Sequence, residues 1–431
     1  MMRTHYCSEV TPALDGQKVG LAGWVHETRT FGKLNFVILR DRSGLLQLIF
    51  KEGEASEELI LAAKSLAKET AVVVEGTVRA SKIANAGREL VPSSLEVVGK
   101  VHGMVPFELT GKVPADLDVR LDNRFVDLRR LEVQAVFFVR AQIQRAFRES
   151  CMSLGCQEIN PPSLVAAATE GGTDLFEVRY FERKAFLAQS PQLYKQLAVL
   201  GGMDKVFMVT PIWRAEKHNT TQHLNEVTQM DAEFGFADEK DALDALEKVF
   251  LGILAGVSAN CQKQLETLKA PLSIPSKIPR HSYSELADLL NAQGERLAWG
   301  DDFSKEHEEK LFKLTGDEAF FITGWPTSAR AFYSQPNADG RTCKAYDLMY
   351  RGIEIASGAQ RIHDVELLEK ALRSRDLKPE DFKGYLDAFR YGAIPHAGWS
   401  IGSERLTMKL CGLHNIREAS LFPRDRNRLT P

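Results

Sequence analysis

The stretch Val206-Phe207-Met208-Val209-Thr210-Pro211-Ile212-Trp213-Arg214-Ala215-Glu216, with His223-Leu224-Asn225-Glu226 soon after it, joins a strand pattern to a charged pair. The apolar run reads as a strand, and residues two apart on a strand share a face. Arg214 and Glu216 then point one way and Trp213 the other. An arginine fork beside a carboxylate on rigid sheet suits the gripping of a phosphate and a base. An isolated Arg-x-Glu is more often a surface ion pair. A matching element near the C-terminus weighs against that reading here.

That element is Gly398-Trp399-Ser400-Ile401-Gly402-Ser403-Glu404-Arg405-Leu406. Two glycines break an apolar strand pattern, and Glu404 to Leu413 reads as a helix. Glycines let the backbone approach a ligand, and a helix N-terminus favours anions. Arg405 falls in the first turn, where its charge opposes the helix dipole. A ligand phosphate accounts for that placement. Between the two elements, Ala345 to Tyr350 and Ile353 to Ala356 flank Arg351-Gly352, a two-residue hairpin turn. This turn sets Met349 opposite Glu354 and leaves Asp347 on the same face, diagonal to Glu354. Two convergent carboxylates suit Mg²⁺; the alternative is two solvated carboxylates on an exposed sheet face.

The elements around Arg214 and Arg405 resemble motifs 2 and 3 of the class II aminoacyl-tRNA synthetases. A helix-like stretch from Val133 to Leu154 leads to Gly155-Cys156-Gln157-Glu158-Ile159-Asn160-Pro161-Pro162, which is similar to motif 1, the dimer-forming motif of that class. Thr169-Glu170-Gly171-Gly172-Thr173 and Gln189-Ser190-Pro191-Gln192-Leu193-Tyr194-Lys195 resemble the aspartyl-tRNA synthetase family of archaeal type, as does the terminal Leu421-Phe422-Pro423-Arg424-Asp425. The resemblance implies an α+β fold: an N-terminal OB-fold β-barrel that binds the anticodon and an antiparallel-sheet class II catalytic domain.

Composition sets wider limits. With 431 residues, 44% hydrophobic and 26% charged, the chain has ample core for two or three ordinary globular domains. No apolar run approaches the ~20 residues of a membrane span, and no signal-peptide core follows Met1. The six cysteines are scattered with no Cys-x-x-Cys pair, which points to free thiols in a cytoplasmic protein rather than to zinc. A net charge of −3 leaves no basic footprint for nucleic acid, so a tRNA partner requires local basic patches.

Along the chain, residues 1–102 alternate like short strands: Val19 to Val25, Asn35 to Arg40, Leu45 to Phe50 after the turn signal Asp41-Arg42-Ser43-Gly44, a helix from Glu57 to Lys68, then Ala71 to Val78. Strand count alone fits any small β domain; the resemblance selects the OB-fold. Residues 103–130, with Pro106, Gly111, Pro114 and a charged run, read as a hinge, and 131–431 as the catalytic domain.

Residue roles follow as what the resemblance implies. Arg214 would contact the α-phosphate of ATP, Glu216 the adenine, and Arg405 the γ-phosphate. His223 would reach the outer phosphates, with Leu224 and Gly402 also at the nucleotide. Asp347 and Glu354 occupy the magnesium positions. Lys195 and Arg361 are the cations for the aspartate side chain; Glu170, Ser190, Gln192, Asp231 and Ser357 complete that pocket, with the Glu170 loop as its lid. Arg29, Phe36, Gln47 and Glu89 would hold the anticodon, Phe36 by stacking; as a bare residue Phe36 reads better as core. His26 and Asn85 stand where strict relatives have a tryptophan and a lysine that enforce the third anticodon base. Their absence implies charging of tRNA(Asn) as well as tRNA(Asp), with an amidotransferase finishing the former product. Asparaginyl-tRNA synthetase and a non-catalytic RNA-binding paralogue are the alternatives. Lys195 argues against the first, as a cation left unpaired beside a neutral amide.

Overall fold

The computed structural model describes residues 2–82, 84, 87–166, 175–217 and 220–431, in two compact units that divide after Gln134. In the first, five strands close a barrel: β1 (Lys18–Phe31), β2 (Leu34–Asp41), β3 (Gly44–Lys51), β4 (Ala71–Ala80) and β5 (Arg88–Gly99), in the order β1-β2-β3-β5-β4. Closure leaves no free sheet edge. Alternation is clean on β2, where Val37 and Leu39 enter the core with Leu46, Leu48 and Phe50 of β3. β1 is long because its first half pairs with β4 and its second with β2. The pairing slips between Val25 and Glu27, so His26 is the extra residue of a β-bulge. The expected helix is shorter than its pattern, Glu57–Lys64, N-capped by Ser56.

The charged run of the hinge reading is not extended chain. It forms short helices, Leu117–Asp122 and Arg124–Asp127, because its charges neutralise one another. Asp127 is fully buried and accepts from Arg124 at 2.7 Å and Arg120 at 3.0 Å.

The second unit is built on an eight-stranded sheet. Its strands, with the three of a small side sheet, are β6 (Gln157–Glu158), β7 (Leu164–Val165), β8 (Glu177–Tyr180), β9 (Arg183–Leu187), β10 (Lys205–Trp213), β11 (Glu226–Gly235), β12 (Arg280–Ser282), β13 (Ala319–Thr323), β14 (Ala345–Tyr350), β15 (Ile353–Gln360) and β16 (His396–Gly402). The large sheet runs β12-β13-β14-β15-β16-β11-β10-β6; its interior pairs are antiparallel and the two end pairs, β12 with β13 and β10 with β6, are parallel. β7, β9 and β8 form the side sheet. The fold is therefore α+β, a closed five-stranded barrel and a unit built on a mainly antiparallel sheet, as the sequence implied.

One face of the large sheet is core. Met230, Ala232 and Phe234 of β11 and Ala397, Trp399 and Ile401 of β16 meet Val139, Ile143 and Phe147 of the Leu131–Ser153 helix and Leu246, Phe250 and Ile253 of the Glu239–Asn260 helix. Apolar residues at three- and four-residue spacing give each helix this stripe. The opposite face carries the alternate residues, polar at Asp231 and Glu233 of β11 and Ser400 of β16 and apolar at Phe320, Ile322 and Met349, which join a second cluster. Among the described residues no helix is long and apolar enough to cross a membrane, and all six cysteines are buried and unbridged.

Two sequence expectations change. β10 stops at Trp213, so Arg214 and Glu216 lie beyond the strand rather than on one of its faces. The Asn225 amide takes over as anchor, donating to both the Arg214 and the Glu216 carbonyl. Gly398 does not break β16, which runs on to Gly402, and the helix that follows is Ser403–Leu410. Gly398 is instead a close approach: a Cβ there would run into the Ala232 carbonyl and the Glu233 carboxylate. Gly398→Ala should therefore cost about 1–3 kcal/mol by overpacking, measured as a lower urea midpoint; an unchanged midpoint would contradict the tight passage.

Candidate functional site

Register alone assembles a polar row across the open face of the large sheet. Asp347 of β14 lies opposite Ser357 of β15, Ser357 opposite Ser400 of β16, and Ser400 opposite Asp231 of β11. Ser400 donates to Asp231 at 2.7 Å. Beside this row opens a pocket of about 260 Å³, where Arg214, Glu216, His223, Leu224, Glu354, Ser357, Gly402 and Arg405 converge. These eight sequence candidates come from the segment between β10 and β11, from β15, from the end of β16 and from the helix that follows it. Lys195, Arg361, Gln192, Ser190, Asp231 and Asp347 do not line it; they are buried behind or beside it. Glu170 lies outside the described residues, as does Asn85.

The hairpin forms as expected, with positive φ at Arg351 and Gly352 and Met349 opposite Glu354. A bulge after Leu348 then shifts the register, so Asp347 faces Ser357. Asp347 gives one carboxylate oxygen to Arg330, which also stacks on Trp325 at 3.8 Å. Its other oxygen, Oδ1, is buried and has no hydrogen-bond partner among the described residues. Glu354 is partly exposed, and Arg405 donates to its backbone carbonyl at 3.1 Å. That contact gives Arg405 a protein reason for its place in the first helical turn, beside any ligand. An orphaned oxygen and a half-free carboxylate fit a hard cation that takes its remaining ligands from phosphate and water. Among the described residues no three acid, His or Cys groups form a complete metal cage. Close by, burial and then the Glu354 charge push Glu308 up to about 8.

Behind the row lies a buried ion quartet. Lys195, on the Gln192–Ala198 helix, is fully buried and donates to Asp231 at 2.8 Å and to the Trp399 carbonyl at 3.0 Å; Glu233 is 3.5 Å away. Arg361 binds Glu233 through Nε and Nη2 at 2.9 and 3.1 Å. Burial alone would raise Glu233, but Arg361 and Lys195 together hold it below the usual carboxylate range. The expectation that a neutral amide would leave Lys195 unpaired is thus corrected: its charge is already matched by two acids, Asp231 and Glu233. The side of the Arg361 guanidinium is spent on Glu233, and its outer end remains. Glu233 went unnoticed in the sequence, although it stands two residues from Asp231 on the same face of β11. Glu404 was missed too; it is buried, bound by Arg140 and by the Thr228 N–H, and lines the pocket. Nothing in the sequence pairs position 140 with 404.

In the barrel, Arg29 lies opposite Phe36, and Phe36 is diagonal to Gln47 on the outer face. Phe36 is half-buried and outside the core cluster, which removes the core reading. The Gln47 amide donates to Glu89 at 2.9 Å, and Arg79, not foreseen, binds the other Glu89 oxygen. The bulge turns His26 toward Arg40, whose guanidinium reaches His26 Nδ1 at 2.9 Å. Arginine can only donate, so Nδ1 accepts and the proton sits on Nε2. Burial, then Arg40, hold this imidazole below its ordinary range. A cleft of about 310 Å³ lies beside it, walled by Met104, Phe107 and Leu109 with Lys68 also lining it.

Residues 116–426 match the family of class II tRNA synthetases (D, K and N), and residues 19–98 match the OB-fold nucleic acid binding domain. The chain belongs to the class II tRNA synthetases, ATP-dependent ligases that charge tRNA. Within them it is 48% identical to the aspartate–tRNA(Asp/Asn) ligase of Methanocaldococcus jannaschii, over 100% of this chain and 98% of that protein. It is 45% identical to the aspartate–tRNA(Asp/Asn) ligase of Archaeoglobus fulgidus, over 99% of each. Among solved structures, asparaginyl-tRNA synthetase from Pyrococcus horikoshii with asparaginyl-adenylate superposes with a TM-score of 0.95 at 35% identity, covering 100% of both chains.

Arg361→Leu should strand Glu233 as a buried carboxylate and destabilise the protein by roughly 3–5 kcal/mol, toward the lower end because Lys195 remains nearby. Denaturant titration reads this. The double change with Glu233→Leu should recover much of the loss; no recovery would mean the two are not coupled.

Proposed function

We propose that this protein is an aspartate–tRNA ligase of relaxed tRNA choice: it activates L-aspartate with ATP and transfers it to tRNA(Asp) and tRNA(Asn). The observation that carries the reading is the pocket in which Arg214, Glu216, His223, Glu354 and Arg405 meet, one sheet row away from Lys195 and Asp231. The aspartate α-carboxylate attacks the α-phosphorus, and pyrophosphate leaves. The substrate is itself the nucleophile, so catalysis rests on positioning and charge neutralisation. Arg214 holds the α-phosphate, Glu216 the adenine, and His223 and Arg405 the outer phosphates, with Leu224 and Gly402 walling the nucleotide. Asp347 and Glu354 would hold Mg²⁺, which supplies further neutralisation of the triphosphate when bound. Ser190, Gln192, Asp231 and Ser357 surround the ammonium end. Lys195 and the outer end of Arg361 take the side-chain carboxylate, and Glu170 belongs to the lid. A terminal ribose hydroxyl of tRNA then attacks the activated carbonyl and AMP leaves.

We assign residues 1–102 to anticodon binding through Arg29, Phe36, Gln47 and Glu89, 103–130 to a hinge and 131–431 to catalysis. The enzyme works in the cytoplasm as a homodimer through the Leu131–Ser153 helix, which exposes Phe138 and Met152. His26 and Asn85 lack the bulk and charge that obstruct a wrong third base, so discrimination is relaxed; an aspartyl/glutamyl-tRNA amidotransferase then converts the aspartyl-tRNA(Asn). Asparaginyl-tRNA synthetase is the second reading, favoured by the superposition of folds and opposed by the higher identity to the aspartate ligases.

Pyrophosphate exchange with aspartate and asparagine side by side decides between the two readings, and aspartate should be used at least about a hundredfold better, since a mismatched buried polar group costs ~1–3 kcal/mol per contact. Asparagine preference would reject the proposal. Transcripts of both tRNAs should accept labelled aspartate within about tenfold of each other, and His26→Trp with Asn85→Lys should suppress tRNA(Asn) selectively.

Asp347→Ala should abolish adenylate formation while the protein stays folded by circular dichroism. Normal exchange across a magnesium titration would remove its metal role.

A further inference from the structure

A second buried network lies behind the amino-acid site and uses groups the mechanism above leaves idle. His396 Nδ1 lies 2.8 Å from the Ile394 carbonyl, and its Nε2 lies 2.8 Å from the Gln196 amide nitrogen. Gln196 Oε1 accepts from the Tyr385 hydroxyl and from Gln192 Nε2, each at 3.0 Å. His396 and Gln196 are wholly buried, and Gln192 and Tyr385 nearly so.

The polarity of every link follows from one end. A carbonyl can only accept, so His396 Nδ1 carries the proton. Burial holds the imidazole below its ordinary range, against the upward pull of Glu233 and alongside the downward ones of Arg361 and His363. It is therefore neutral at pH 7, and Nε2 is an acceptor. Gln196 must meet it with its NH₂ and turn Oε1 the other way. Gln192 must then meet Oε1 with its own NH₂. What Gln192 has left is Oε1, which receives no donor from the described residues. Gln192 sits three residues before Lys195 on the same helix, so both side chains share one face.

We infer that His396 is a positioning residue for substrate binding: through Gln196 it fixes the Gln192 amide so that a carbonyl oxygen, and not an NH₂, faces the amino-acid site and selects the ammonium group of aspartate. The inference rests on the reading of Gln192 given above. With the relay reversed, Gln192 would present a donor to an ammonium group, which has only donors. The relay thus specifies a free α-amino acid and does nothing for the side-chain end, which the ion quartet reads.

Gln196→Met keeps the volume and removes the polarity. In pyrophosphate exchange it should raise the aspartate KM about tenfold, while kcat, the ATP KM and inhibition by succinate, which is aspartate without its ammonium group, stay within about twofold. Succinate separates the relay from general damage, because a collapsed pocket would weaken both ligands. Nitrogen-15 NMR of histidine in the wild-type protein should show His396 as the Nδ1–H tautomer, a reading that needs no variant to fold. An Nε2–H tautomer overturns the relay. So does an unchanged aspartate KM in Gln196→Met beside a raised one in Gln192→Leu. An unchanged KM in Gln192→Leu itself removes the assignment of Gln192 to the ammonium group and the relay with it.

Discussion

Four charges buried behind the open sheet face set the terms for the rest of the site. Asp231 and Glu233, two residues apart on β11, hold Lys195 from one helix and Arg361 from just beyond β15. Removing four ions from water is costly, and only complete pairing with good hydrogen bonds offsets that cost. Here the pairing is complete. The strand between them has no slack, as Gly398 on β16 shows by leaving room for the Glu233 carboxylate where any side chain would collide. The outer end of Arg361, the guanidinium nitrogen that takes no part in the Glu233 contact, is therefore fixed in direction before a ligand arrives. Preorganised donors of this kind spend little on reorganisation when charge is bound.

Sheet register does for the side proposed to take the nucleotide what ion pairing does for the side proposed to take the amino acid. The row from Asp347 through Ser357 and Ser400 to Asp231 exists because four neighbouring strands are in one alignment. A one-residue slip in any of them would turn its residue to the core face. The bulge after Leu348 absorbs one residue of β15, which keeps Glu354 at the pocket while Asp347 meets Ser357. In the barrel the bulge at His26 plays a comparable part, taking one side chain out of the ladder toward Arg40 and the adjoining cleft. Bulges re-aim side chains in this way because the extra residue has no ladder partner.

The two readings of the substrate, aspartate or asparagine, turn on a small part of the molecule. The fold is common to both kinds of enzyme, as the TM-score of 0.95 to an asparaginyl enzyme shows. Since Lys195 is already paired, the proposed selectivity for a carboxylate would rest on the whole quartet and not on a lone cation. A neutral amide in that position would offer one acceptor oxygen and turn an NH₂ toward a remaining donor, and unsatisfied buried donors are expensive.

Much of this was legible in the chain. Strand periodicity, the Arg351-Gly352 turn, the Leu131–Ser153 stripe and the local motifs at Arg214, Lys195 and Arg405 are short-range signals, written in neighbouring residues; they specified many of the strands and helices and half of the residues that line the pocket, while the fold class came from the resemblance the motifs carry. Tertiary structure decided what short-range signals cannot carry. The end of β10 at Trp213 depends on the Asn225 side chain reaching back to it, and the bulges depend on counting residues between two strands. The charged run before Arg130 became helix because Asp127 finds Arg120 and Arg124 in a buried setting. Glu233 with Arg361, Arg140 with Glu404 and His396 with Gln196 are separated by 128, 264 and 200 residues. The sequence alone determined which chemical groups were present; which of them are charged, paired or left facing a ligand depends on desolvation and distance, and those come into being only when the sheet is assembled.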